Sequence, residues 1–218
     1  MTSAKDPEQD PADVPDAVHA LLWRWADHVN GNPYRAVSRP EWFARTGELV
    51  LKEDVTWFGM GEEGLSHGGL PAGLSKAPVY TGFYWLEEDG GPAVARACLV
   101  VVPLADPDRI AAADWDDGYE DYVATPLEGY AVLCSSPFDP LWSDDDGEAH
   151  LREAKRIIEA GDREGRRANY AEIITDPDRG GNALFFPVEG EDRTAYKATE
   201  PDETVVCLAF VDYDLYPH

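Results

Sequence analysis

"VYTGFYWLEEDGGPAVARACLVVVPL", Val79 to Leu104, reads as two strands joined by a short connection. Tyr, Phe, Trp and Val suit a pleated, half-buried surface, and Asp89-Gly90-Gly91-Pro92 between the runs supplies turn residues. A hairpin is antiparallel by construction, and later segments extend the same pattern. "GYAVLCS", "YAEIIT", "NALFFPV", "TAYKAT" and "TVVCLAFVDYDLY" are each strand-like, with "DPDRGG" and "EGED" as breaks among them. Upstream, "EDVTWFGMG" predicts one more strand, with Val55 and Trp57 on one face.

Helices are read from the other period. "DAVHALLWRWADHVNG" spaces Val18, Leu21, Leu22, Trp25 and Val29 by threes and fours, which predicts a helix ending near Asn30-Gly31. Ser38 followed by Glu41 has the spacing of a capping box and predicts a second helix through "RPEWFARTGELV", with Trp42, Phe43, Thr46 and Leu49 inward. Pro107 to Ala113 is expected to form a short helix, and 147–160 a longer one with Leu151, Ala154, Ile157 and Ile158 on its apolar face. Strands dominate after the first helices and no βα alternation is seen. The predicted class is therefore α+β, with N-terminal helices and one mid-chain helix packed on a mostly antiparallel sheet. Residues 1–13 are read as a flexible tail and 14–218 as a single globular domain.

The totals fit that reading. A chain of 218 residues, 44% apolar and 28% charged, has the composition of a folded globular protein. It has no apolar run near the length a bilayer span needs, and "MTSAKDPEQDPADVPD" lacks both parts of a signal peptide, so a cytoplasmic location away from membranes is expected. Cys98, Cys134 and Cys207 lie far apart in apolar runs, the pattern of reduced core thiols.

Charge is the strongest global feature. A formal net charge of −25 argues against direct nucleic-acid binding and favours a cationic partner. Adaptation to high salt is the alternative, and the scarcity of Lys would suit it. The distribution, however, is uneven: from Pro103 to Glu148 thirteen acidic residues stand against Arg109 alone, a net −12 and about half of the total. One third of all basic residues then come between Arg152 and Arg167. The simplest account places this basic helix beside the acidic segment; a phosphate or carboxylate pocket is the functional counterpart.

Within the acidic segment, Trp115, Tyr119 and Tyr122 are interleaved with Asp116, Asp117, Glu120 and Asp121. Aromatic side chains give rigid contact area and carboxylates steer a positive partner, so these seven residues are the candidate binding face. Candidates for catalysis are His67 with Glu62 in the glycine-rich stretch, and Cys134 at a strand end. Asp144, Asp145, Asp146 and Glu148 are candidates for cation binding, although Trp142 occupies the first ligand position of the calcium-loop pattern and so breaks it. "GMGEEG" matches Gly-x-Gly-x-x-Gly without a surrounding βαβ unit, so no cofactor is expected. The leading function is an acidic protein-binding module, an inhibitor or immunity protein that neutralises a basic nucleic-acid-binding protein or nuclease. A small hydrolase or transferase with a pocket near the 59–76 loop is the second class, and a homo-oligomeric structural protein the third.

Overall fold

The Val79–Leu104 hairpin forms, and both of its faces are covered. The computed structural model describes residues 14–30, 39–51, 57–58, 65–66, 71, 73–87, 91–115, 129–134, 145–176, 180–189 and 192–213. In chain order these give α1 (Asp16–Asn30), β1 (Trp42–Val50), β2 (Trp57–Phe58), β3 (Leu65–Ser66), β4 (Lys76–Leu86), β5 (Val94–Pro103), α2 (Pro107–Ala112) and β6 (Asp114–Trp115). Next come β7 (Tyr130–Cys134), α3 (Asp145–Glu164), β8 (Ala171–Asp176), β9 (Gly181–Pro187), β10 (Asp192–Thr199) and β11 (Val205–Tyr213). The fold is α+β, with two antiparallel sheets in the orders β1-β4-β5-β11-β10-β6 and β7-β9-β8. β2 and β3 pair with each other across the glycine-rich stretch. The predicted Val55 and the 1–13 tail lie outside the described residues.

Three apolar cores set the layers. Val79, Phe83, Val100, Val102 and Leu208 of the six-stranded sheet meet Leu133, Leu184 and Phe186 of the three-stranded sheet. The other face of the large sheet, through Leu99, Val101 and Ala209, takes Leu22 and Trp25 of α1 and Ile110 of α2. The outer face of the small sheet, through Val132, Ile173 and Phe185, takes Ala154 and Ile158 of α3. The order is helices, sheet, sheet, helix. Strands covered on both sides have no solvent face, which is why β5 and β9 are nearly continuous apolar runs.

Bulges adjust which side chains reach which core. Gly82 stands opposite Leu99 and Phe83 opposite Ala97, so Cys98 is the additional residue of β5. Cys98 and Leu99 then both join the helix-side core while Ala97 and Val100 join the inter-sheet core. At Gly82 a Cβ would lie 2.9 Å from both Phe43 and Pro40, so that close approach needs glycine.

One expected element is corrected. The helix predicted from Ser38 and Glu41 is strand β1, paired antiparallel with β4. A bulge between Arg45 and Glu48, with Gly47 at φ +96°, breaks the two-residue alternation. Phe43, Thr46 and Leu49 are consequently buried at intervals of three, imitating helical spacing. Thr46 and Thr81 satisfy each other across the two strands, their hydroxyl oxygens 2.7 Å apart.

Buried polar groups join the layers. Asn182 of β9 accepts from the Val50 N–H at 2.9 Å and donates to the Glu48 carbonyl at 2.7 Å and to the Glu172 carboxylate at 2.8 Å. Trp42 donates its indole N–H to the Arg167 carbonyl at 3.1 Å beneath the Arg167 guanidinium. Among the described residues no helix is long and apolar enough to cross a membrane.

Candidate functional site

The site is built where β5 ends. The Leu104 N–H donates to the Val206 carbonyl at 2.9 Å, holding the chain against β11 as it turns into α2. A six-residue helix has little stability of its own. α2 is fixed by Pro107 in its first turn and by fully buried Ile110, whose burial contributes about 1.5–3 kcal/mol.

Between α1, α2 and β4 this leaves an open pocket of about 340 Å³. Its apolar walls include Val18 and Leu21 from α1, Leu74 and Pro78 before and within β4, and Ile110. Tyr80 also lines it; the residue is 5% exposed, and its hydroxyl makes no hydrogen bond among the described residues. Burial raises the Tyr80 hydroxyl above the ordinary tyrosine range, opposed in part by the charge of Arg45. The phenol is therefore a neutral donor and acceptor at physiological pH.

Carboxylates gather at the rim. Arg109 lines the pocket and binds Glu200 through two guanidinium nitrogens, the Nε bond being 2.9 Å. That bond, and then the arginine charge, holds the Glu200 carboxyl below its usual range. Asp202 accepts from the Thr204 N–H at 3.1 Å, which lowers its carboxyl likewise. Asp106 occupies the N-cap position of α2 but makes no side-chain cap bond, and the residue lines the pocket. With Asp108 and Glu203, both exposed, these groups form an acidic corner in which the charge of Arg109 is offset by Glu200.

Of the predicted site residues, Trp115 pairs through Ala198 of β10, and its ring stacks on Trp25 with centroids 3.9 Å apart and planes at 20°. It packs against the helix-side core instead of standing clear in solvent. Asp116, Asp117, Tyr119, Glu120, Asp121 and Tyr122 lie outside the described residues, as do Glu62, His67 and Asp144. Cys134 is fully buried against α3, away from any surface a substrate could reach. Asp145, Asp146 and Glu148 belong to the first turns of α3, and a helical backbone there is incompatible with a calcium loop. Among the described residues, no three groups capable of holding a metal come together.

The basic helix meets only one end of the acidic segment among the described residues. α3 covers the small sheet and begins with the last acidic residues of the segment, Asp145, Asp146 and Glu148, whereas α2 and Asp114 lie beyond the large sheet, so Asp106, Asp108 and Asp114 are separated from α3 by both sheets. α3 carries the local pair Arg156–Glu153, and Arg166 just beyond its end pairs with Glu164. Its Asp162 binds Arg96 of β5 at 3.1 Å.

Sequence reading missed Tyr80, Asp106, Arg109, Glu200 and Asp202 as one group. A signal existed: Asp106-Pro107-Asp108, which opens α2, and Glu200-Pro201-Asp202, which turns into β11, share the acid-Pro-Asp pattern, and the Arg109–Glu200 bond joins the two segments. Asp176-Pro177-Asp178 repeats the motif elsewhere, so the motif alone does not select the pair. No protein-family model, curated protein or solved structure matches the chain.

Proposed function

We propose that the chain is an acidic docking module for a basic protein, acting as an inhibitor or immunity protein that occupies its partner's phosphate-binding surface. The observation that carries this reading is the acidic corner: Asp106, Asp108, Asp202 and Glu203 around Arg109, which is already bound to Glu200, with Arg24 at the far end of α2 on the Ala111 carbonyl. From Trp115, adjoining this corner, the chain continues into the most acidic stretch of the sequence. Such a field accelerates encounter with a cation and disfavours anionic competitors.

Catalysis is less well supported. The described lining of the pocket includes no serine, cysteine or histidine that could form a nucleophile–base pair.

The reading is tested on association kinetics. A basic partner recovered at low salt should bind a variant carrying Asp108→Asn, Asp202→Asn and Glu203→Gln at least several-fold more slowly at low ionic strength, with the difference shrinking as salt is added. Equal association rates at low salt would overturn it.

A further inference from the structure

We infer that the pocket between α1, α2 and β4 receives a tryptophan or tyrosine side chain of the basic partner, presented between lysine or arginine residues. This rests on the docking reading and adds to it the anchor that area and charge alone leave unspecified.

Three properties of the cavity converge on that occupant. Its volume of about 340 Å³ is at the small end of binding pockets, which span roughly 300–1,000 Å³, and suits one large side chain. Its walls are held before binding: Pro78 lies in β4 and Ile110 is fully buried, so little ordering opposes insertion. Buried aromatic anchors of this kind carry most of the binding energy at protein interfaces.

Tyr80 selects among anchors. Tyr80 is a nearly buried residue whose hydroxyl makes no hydrogen bond among the described residues, so a polar atom entering the pocket can gain one new bond there. An indole N–H or a phenol supplies such an atom; phenylalanine and leucine do not. Asp106 selects the neighbours of the anchor: it lines the same pocket, is exposed, and its side chain is not used to cap α2. A cation beside the anchor meets Asp106, while Arg109 is neutralised by Glu200 and offers little repulsion. A second copy of this chain, itself at −25, is disfavoured as the occupant on the same ground.

The test uses full-length protein with labelled Leu, Ile and Val methyl groups, titrated with capped Arg-Trp-Arg, Arg-Phe-Arg, Arg-Gly-Arg and Glu-Trp-Glu peptides. Arg-Trp-Arg is expected to shift Leu21, Leu74 and Ile110 saturably and to bind more tightly than the other three. Tyr80→Phe should weaken Arg-Trp-Arg about fivefold, the loss of one net hydrogen bond, and leave Arg-Phe-Arg unchanged. Equal shifts from Arg-Trp-Arg and Arg-Gly-Arg, or shifts confined to residues outside the pocket, would overturn the anchor. The native partner separates the two readings: slower association with the corner variant but unchanged affinity for Tyr80→Phe rejects the anchor and keeps the docking surface. Equal association with the corner variant rejects both.

Discussion

The indole of Trp115 lies nearly parallel to that of Trp25, with centroids 3.9 Å apart, so the residue that leads into the acidic segment is tied to the helix layer. Trp25 in turn meets Tyr196 edge-on at 5.1 Å. Such aromatic pairs add about 0.5–1.5 kcal/mol beyond the area they bury. Replacing Trp115 by Ala should lower stability by about 2–3 kcal/mol, less than for a fully buried tryptophan because this one is only partly covered. Urea denaturation measures the loss. Near-ultraviolet circular dichroism should also lose the signal of two coupled indoles, and an unchanged spectrum would contradict the stack.

Stability at acid pH should depend on Glu200. Its carboxyl titrates below the ordinary 4.5 because Arg109 binds it, so its folded-state pKa lies below the unfolded value. That contribution is fully present above the unfolded pKa and disappears as pH falls through the folded one. Glu200→Gln should therefore remove stability at neutral pH and flatten the acid limb of the stability curve. The same bond raises the Arg109 guanidinium further above its already high range, so its own linkage lies far outside this window. Parallel curves for the two proteins from pH 7 to pH 3 would show that the pair contributes nothing.

These two relationships differ in how far the sequence announces them. The hairpin, α1, α2, α3 and most later strands arise from apolar period and turn residues, because local chemistry and burial agree there. β1 misleads because its bulge at Arg45–Glu48 places Phe43, Thr46 and Leu49 at a helical interval, directly after a capping-box pattern. The pocket is illegible for another reason. Val18, the Leu74–Tyr80 run and Ile110 come from three separate stretches, and Arg109 meets Glu200 across 91 positions, so only topology brings them together.

The three thiols should be silent in the folded protein. Cys98, Cys134 and Cys207 are all buried, and burial pushes the Cys207 thiol far above the ordinary thiol range. Alkylation by iodoacetamide at neutral pH should be negligible in buffer and should reach all three cysteines only where denaturant unfolds the chain. Modification of Cys134 at the rate of a free thiol in native buffer would restore it as a nucleophile candidate.

Gly161 and Asn169 fit closely where α3 meets the segment that leads to β8. Asn169 is fully buried; its amide nitrogen donates to the Ile158 carbonyl at 3.0 Å and to Asp162 at 2.8 Å, closing the end of the helix while Asp162 also holds Arg96. A Cβ at Gly161 would lie 2.0 Å from the Asn169 side-chain oxygen, a distance that real atoms do not tolerate. Gly161→Ala should thus destabilise the protein by about 3 kcal/mol or more, despite alanine's higher helix propensity of about 1 kcal/mol. Asn169→Ala removes the buried bonds and should cost about 1–3 kcal/mol by itself. Combined, the two changes relieve the clash, because the methyl group enters the space the amide leaves. The double variant should therefore be more stable than the sum of the single effects predicts, by at least about 1 kcal/mol in a double-mutant cycle. Strict additivity would mean that the helix end accommodates alanine by moving away from Asn169, and that the Asn169–Asp162–Arg96 chain does not fix the position of α3.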